Sequence, residues 1–169
     1  MEKEHNERER KLLEVLKNLN LSFERIEHPA VFTVEESKKL LPNIPGQGTK
    51  NLLLEEEKTG QLYFFVIAEE KQLDLKKLRI LLGKRRFSFA KPEKIKKYLG
   101  TEPGSLTALG LIFDPEHVLN LIIDQQVINA EFVACHPLIN TATLLLTQDN
   151  FQRFLKHTGH SYSVLPFED

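Results

Sequence analysis

The chain has one cysteine, Cys135, among its 169 residues, so no intramolecular disulfide can staple it and the fold must rest on its core. No apolar run approaches the roughly 20 residues that a helix needs to cross a bilayer, which excludes a helical membrane span. The opening, MEKEHNERERK, is charged and no apolar stretch of signal-peptide type follows, so a cytoplasmic protein is expected. Net charge is only −1, which gives no overall attraction to a polyanion. Eight glycines and eight prolines are too few for low complexity, and no repeat or linker is visible.

What is present suffices for one compact domain, since a chain of this length buries roughly 70% of the surface it exposes when unfolded. Leu12, Leu13, Val15 and Leu16 recur at near-helical spacing before Asn18-Leu19-Asn20. The expected division is an N-terminal helix, residues 1–20, packed on a domain spanning 21–169. LSFERIEH alternates apolar and polar residues and ends at Pro29, as a strand does. Thr33 with Glu36 three residues on is a capping box, opening a short helix that closes at Pro42. KNLLLEEE and QLYFFVIAEE flank Lys58-Thr59-Gly60 and predict a hairpin.

Two basic helices follow, DLKKLRILLG with Asp74 as N-cap and KPEKIKKYLG between Pro92 and Gly100. VLNLIIDQQVI reads as strand, tight turn, strand. EFVACHPLINTATLLLT reads as two strands broken at His136-Pro137, and TQDNFQRFLKHTGH as a helix ended by Gly159. The class is therefore α/β, an α+β arrangement with a mixed sheet of about six or seven strands.

Charge is unevenly spread: from Lys71 to Lys97 eleven Lys or Arg stand against two acids, Asp74 and Glu93. Such a patch can attract a polyanion despite an acidic average, or it can be a set of solvated helix faces. The stretch IPGQGTKNLLL, residues 44–54, invites a phosphate-loop reading, but its glycines are too close together and a strand-like run follows where a helix is required. Lys50 could project into a cleft beside this loop or face solvent at the strand start. PGSLT, residues 103–107, could expose backbone N–H groups as a small anion-binding concavity.

His28 and His136 each precede a proline, so both belong at extended strand ends, where sites are common. Cys135 and His136 are adjacent, which on a strand points their side chains to opposite faces; neither a zinc site nor a Cys–His nucleophile pair is expected, and Cys135 reads as core. His157 and His160 flank a helix C-terminus, as residues that compensate its dipole or face solvent.

In order, EHPAVFTVEE, TKNLLL, SFAKPEKIKKYLGTEPGSLTALGL and ACHPLINTATLLLT…FLKHTGH resemble the YbaK/aminoacyl-tRNA deacylase family. Within it the similarity is greatest to the freestanding prolyl-tRNA-synthetase-associated editing domains of PrdX or ProXp-ala type, over roughly residues 20–165. The resemblance implies a YbaK-like fold and a deacylase that hydrolyses the ester of a mischarged tRNA in trans, typically Ala-tRNA(Pro), without metal or other cofactor. It implies Lys50 as the signature active-site residue with Asn51 beside it, and His136 with Pro137 at the aminoacyl pocket. The family's GxxxP loop falls on Gly104, Ser105, Leu106, Thr107 and Ala108, with alanine where proline is usual. The partners implied are the tRNA acceptor end, met by Lys76, Lys77, Lys84, Arg85, Arg86, Lys94 and Lys97, and an aminoacyl-tRNA synthetase, with no membrane. A non-catalytic tRNA- or synthetase-binding module and a small-molecule pocket are the alternatives.

Overall fold

Residues 62–68, Leu-Tyr-Phe-Phe-Val-Ile-Ala, are buried on both faces of a strand, and the other elements are arranged around it. A continuous apolar run of this kind suits only the middle of a covered sheet. The computed structural model describes residues 2–31, 33–40, 44–83 and 86–168. Along the chain lie α1 (Glu2–Asn18), β1 (Glu24–Glu27), α2 (Val34–Leu40), β2 (Gln47–Glu56), β3 (Leu62–Ala68), α3 (Leu75–Leu81), β4 (Phe87–Phe89) and α4 (Pro92–Leu99). Two 3-10 turns, Pro103–Ser105 and Ala108–Phe113, lead to β5 (Asn120–Asp124), α5 (Gln125–Asn129), β6 (Phe132–Cys135), β7 (Ala142–Thr147), α6 (Gln148–Thr158) and β8 (Tyr162–Leu165).

The strands form one mixed sheet in the order β1-β7-β6-β2-β3-β5-β8, with β4 also paired to β2. The β2–β3 hairpin is antiparallel, and Gly60 closes its turn at φ +73° with its N–H on the Glu56 carbonyl. Pairing of β2 with β6, of β3 with β5 and of β5 with β8 is parallel. One face of the sheet carries Leu53, Phe64 and Val66 in a cluster with Leu12 and Leu16 of α1, Leu99 of α4 and Phe151 of α6. The other face carries Leu54, Phe65 and Ile67 under Leu78 of α3. Among the described residues no helix is long and apolar enough to cross a membrane.

Local chemistry sets the element ends. The Asp74 carboxylate accepts from the N–H groups of Lys76 and Lys77, Thr147 caps α6 by accepting from Asn150, and Gly100 and Gly159 close α4 and α6 in the left-handed region. Glu36 donates its N–H to the Thr33 hydroxyl, as the capping-box spacing anticipates.

The strand inventory differs from the expectation at three places. Residues 125–129 form α5 rather than a turn and strand, because Asp124 accepts from Gln126 N–H and caps a helix there. The strands β4 and β8, three and four residues long, are too short to carry an alternating pattern, and they raise the number among the described residues to eight. His160 is buried rather than a helix-end surface residue: its Nε2 meets Asp114 at 2.9 Å.

Candidate active site

The two edges of β2 are unequal. One is paired to β3 without interruption from Thr49 to Glu55. The other meets β6 at Gln47 and Gly48 and β4 at Leu54 to Glu56, and among the described residues no strand covers 49–53 between them. A cleft of about 310 Å³ opens beside this gap. Thr49, Lys50 and Asn51 form one wall and Pro103, Gly104 and Leu106 another, while Glu69 and His136 close it together with Val31 and Thr33. A neighbouring hollow of about 320 Å³ shares Thr49, Glu69 and His136 and runs past Gly46 and Gly48 toward Lys38.

The two glycines of the loop do different things. Gly46 turns the chain at φ +89°, where a Cβ would also press on Leu145. Gly48 has ordinary strand geometry, but the space its missing side chain leaves is filled by the Glu69 carboxylate.

Lys50 lines the cleft, and its ammonium donates to the Lys71 carbonyl oxygen. Burial lowers its pKa from the ordinary lysine value, opposed by the negative charge of Glu70. An ammonium has three donors, so one bond to a carbonyl leaves donors for a substrate. Lys71 itself is not part of a basic surface, because its own ammonium is buried against Asp124 at 2.9 Å.

Asn51 ties the two walls together: its Nδ2 donates to the Leu106 carbonyl at 3.1 Å. Its Oδ1 is buried with no donor among the described residues. A buried acceptor left in that state costs about 1–3 kcal/mol, so it is ready to accept from a ligand.

Not all of the backbone donors expected in residues 103–107 are free. Ser105 N–H is already spent on the Glu102 carbonyl at 3.0 Å, whereas Gly104 N–H has no partner among the described residues. Thr107 is fully buried and its hydroxyl caps the second 3-10 turn by accepting from Leu109 N–H. Ala108 is core, and neither residue lines the cleft. Pro137 is buried and likewise does not line it.

His136 is held neutral. Its Nδ1 lies 3.2 Å from the Ala142 carbonyl, which can only accept, so Nδ1 carries the proton and Nε2 is an acceptor. Burial pushes its pKa down, the Ala142 bond opposes, and the neighbouring His28 lowers it further. The two rings meet edge to face at 6.3 Å. His28 is anchored in turn by the Pro29 carbonyl at 2.8 Å and the Thr143 hydroxyl at 2.9 Å. Cys135 is buried and its thiol is pushed up to about 12, which leaves it chemically quiet. Among the described residues no group of three or more His, Cys, Asp or Glu side chains is placed to hold a metal ion.

Of the basic candidates, Lys76, Lys77 and Arg86 are exposed. Lys94 is paired with Glu55 at 2.7 Å, and the Lys97 ammonium lies 5.1 Å from the Tyr98 ring centre. Lys84 and Arg85 lie outside the described residues.

Glu69 and Glu70 are site residues that the sequence reading does not single out. Burial raises the Glu69 pKa, Glu70 adds to the rise, and Lys38 partly offsets it. Burial would raise Glu70 too, but hydrogen bonds from its own N–H, Gln47 and Gln126, with the charge of Lys71, bring it below the ordinary value. The legible signal is their place: two acids directly after a wholly apolar strand must stand at the rim of the sheet.

Residues 28–154 match the model of the aminoacyl-tRNA editing domain. The chain belongs to this family, whose members are editing deacylases. It is 32% identical over 161 residues to prolyl-tRNA synthetase associated domain-containing protein 1 of Danio rerio, covering 94% of this chain and 87% of that one. It is 29% identical over 150 residues to the prolyl-tRNA editing protein ProX of Acetoanaerobium sticklandii, covering 89% and 92%. A crystal structure of a proposed trans-editing enzyme for prolyl tRNA synthetase shares the fold, with a TM-score of 0.66 at 22% identity over 95% of this chain and 98% of that one.

Proposed function

We propose that the protein removes the amino acid from mischarged tRNA in trans, that Ala-tRNA(Pro) is its substrate, and that Lys50 is the residue on which hydrolysis depends. The observation that carries this reading is the interrupted edge of β2, where a cation, a buried unpaired acceptor and a free backbone N–H border one small cleft. An aminoacyl ester is already activated, so a nucleophilic triad is not needed. Water adds to the ester carbonyl carbon, the carbonyl oxygen becomes an oxyanion, and the bond to the terminal ribose oxygen breaks as that oxygen takes a proton.

In this scheme Lys50 turns from the Lys71 carbonyl toward the developing oxyanion, and Gly104 N–H supplies a second donor. Asn51 Oδ1 accepts from the attacking water or from the neighbouring ribose hydroxyl, whichever the ester leaves free. Neutral His136 forms the pocket floor without bringing a competing charge. A cleft of about 310 Å³ can exclude a larger aminoacyl group by size. Binding alone separates side chains differing by one methylene by only about 1–3 kcal/mol, the limit that an editing step overcomes.

The exposed Lys76, Lys77 and Arg86 are assigned to acceptor-stem phosphates. A binding module without activity is less well supported, because Ala108, the departure from the family loop that favours it, is core rather than cleft wall. The test is a deacylation panel of Ala-, Ser- and Cys-charged tRNA(Pro). Release of alanine above the uncatalysed rate is expected, and mobility shift without release from any of them would sink the hydrolase reading.

A further inference from the structure

We propose that the Glu69 carboxylate receives the α-ammonium of the aminoacyl ester and so restricts the enzyme to substrates with a free amino group, excluding N-acylated aminoacyl-tRNA and peptidyl-tRNA. The inference rests on the deacylase reading above and names a specificity determinant for it.

Glu69 follows the last residue of β3 and borders both the cleft and the adjoining hollow. Its carboxylate occupies the space over Gly48, which any larger residue there would take away. Among the described residues it accepts no hydrogen bond and makes no ion pair. The neighbouring acids are treated differently: Glu70 accepts from Gln47 and Gln126, and Asp124 accepts from Lys71, Ala68 and Gln126. Among the described residues Lys38 from α2 acts on Glu69 electrostatically, whereas Lys50 from β2, which shares the cleft, turns its ammonium to the Lys71 carbonyl and lies under the charge of Glu70. A half-buried anion with no donor is costly to keep, and a ligand that supplies one removes the cost.

The ligand proposed for this cleft carries such a donor. An aminoacyl ester differs from a peptidyl ester in one respect at its α-carbon: a cationic amine against a neutral amide. A carboxylate at the wall accepts from the first and faces the second unpaired and desolvated, so discrimination arises from both attraction and penalty. Holding the amine as an ammonium also keeps the adjacent carbonyl electron-poor, which favours attack by water.

The experiment compares single-turnover hydrolysis of Ala-tRNA(Pro) and N-acetyl-Ala-tRNA(Pro) by the wild-type protein, Glu69→Gln and Glu69→Ala. In parallel, titration measures binding of an amide-linked 3′-alanyl-adenosine and its N-acetyl counterpart, which needs no activity. Both Glu69 variants should lose about 10- to 100-fold on the free-amine substrate, the worth of one hydrogen bond to a charged group. They should lose nothing on the acetylated one, and preference for the free-amine analogue should collapse in binding as well. Because burial raises its pKa, the Glu69 charge opposes folding above that pKa, so Glu69→Gln should melt no lower than wild type at pH 7. Equal losses on both substrates, or no loss on either, would overturn the proposal while leaving the deacylase standing. Amine-selective binding without release of alanine from any tRNA would instead overturn the deacylase reading and uphold the role of Glu69.

Discussion

Asp124 and Glu69 stand at the same end of two neighbouring parallel strands, β5 and β3, and have opposite surroundings. Asp124 is fully buried and saturated: Lys71 Nζ at 2.9 Å and Gln126 N–H at 3.1 Å reach one oxygen, and Ala68 N–H at 3.0 Å reaches the other. Glu69, one residue beyond Ala68, has no such donor among the described residues. A carboxylate that joins three segments through complete hydrogen bonding stabilises the fold. One left unsatisfied beside a cleft is a cost that folding does not explain, and function is where to look for its benefit.

The comparison is broken most forcefully at its structural side. Asp124→Ala strands the Lys71 ammonium in the core and removes the cap of α5, and a loss of about 3–5 kcal/mol in stability is expected from chemical denaturation. Lys50→Ala is the converse: a fall of about 10²–10³ in deacylation rate, the size seen on removing one oxyanion-stabilising group, with a denaturation midpoint close to wild type. Hydrolysis undiminished on every mischarged tRNA would remove Lys50 from the mechanism. Were both variants to lose stability equally, the division between structural and functional charges would not hold.

The pH profile sharpens the same division with smaller effects. Burial lowers the Lys50 pKa, so its cation is lost as pH rises through a value below the ordinary ~10.4. After subtraction of uncatalysed ester hydrolysis, the alkaline decline should begin below the ordinary lysine range. His136, held neutral by burial, keeps its acceptor Nε2 as pH falls past the ordinary ~6.5, so no acid limb should centre there. A limb at that pH that disappears in His136→Asn would show that the ring titrates in the working range.

Elements with strong local chemistry are legible from residues alone: Asp74 and Thr33 as caps, Gly60 in the hairpin turn, Gly100 and Gly159 as helix stops. Each acts within four residues of itself, so spacing suffices. What escapes such a reading depends on distant partners. Gln125 and Gln126 look like turn residues until Asp124 caps them, and Lys71 looks like one more surface cation until Asp124 pairs with it. The Lys50 neighbourhood stands out by the oddity of its loop and by family resemblance, but nothing in the spacing shows that Gly48 makes room for Glu69. Strand alternation cannot reveal that β2 is paired along one edge and interrupted along the other, which is what opens the cleft.

The basic surface gives a milder contrast with the cleft. Glu56 of β2 pairs with Phe87, next to Arg86, and lies six residues beyond Lys50 along the strand, roughly 20 Å at ~3.4 Å per residue. Arg86 is therefore too far from Lys50 to touch the terminal nucleotide and suits a phosphate further down the acceptor stem. Replacing Lys76, Lys77 and Arg86 with alanine should weaken tRNA binding severalfold. It should also flatten the salt dependence by about 0.7–0.9 in logarithmic slope for each phosphate no longer neutralised. A single-turnover rate at saturating tRNA should be nearly unchanged, and an unaltered salt slope would take these residues out of the interface.

The smallest effect expected is at Ala108, where the loop pattern of the family that the sequence resembles would place proline. Ala108 is the first residue of a 3-10 turn, a position where a missing N–H costs no intrahelical bond, and Thr107 before it is extended at φ −152° and ψ 147°. The backbone is thus already compatible with proline at 108 and with the restriction proline places on the residue before it. Ala108→Pro should stabilise the chain by about 0.4–1 kcal/mol through loss of unfolded-state freedom, read as a rise in denaturation midpoint with an unchanged slope. Because Ala108 is core and does not line the cleft, the ranking of Ala-, Ser- and Cys-charged substrates should be the same in the variant. A changed ranking would mean that the loop shapes the pocket through its rigidity, and the boundary between core and site would have to move to include residue 108.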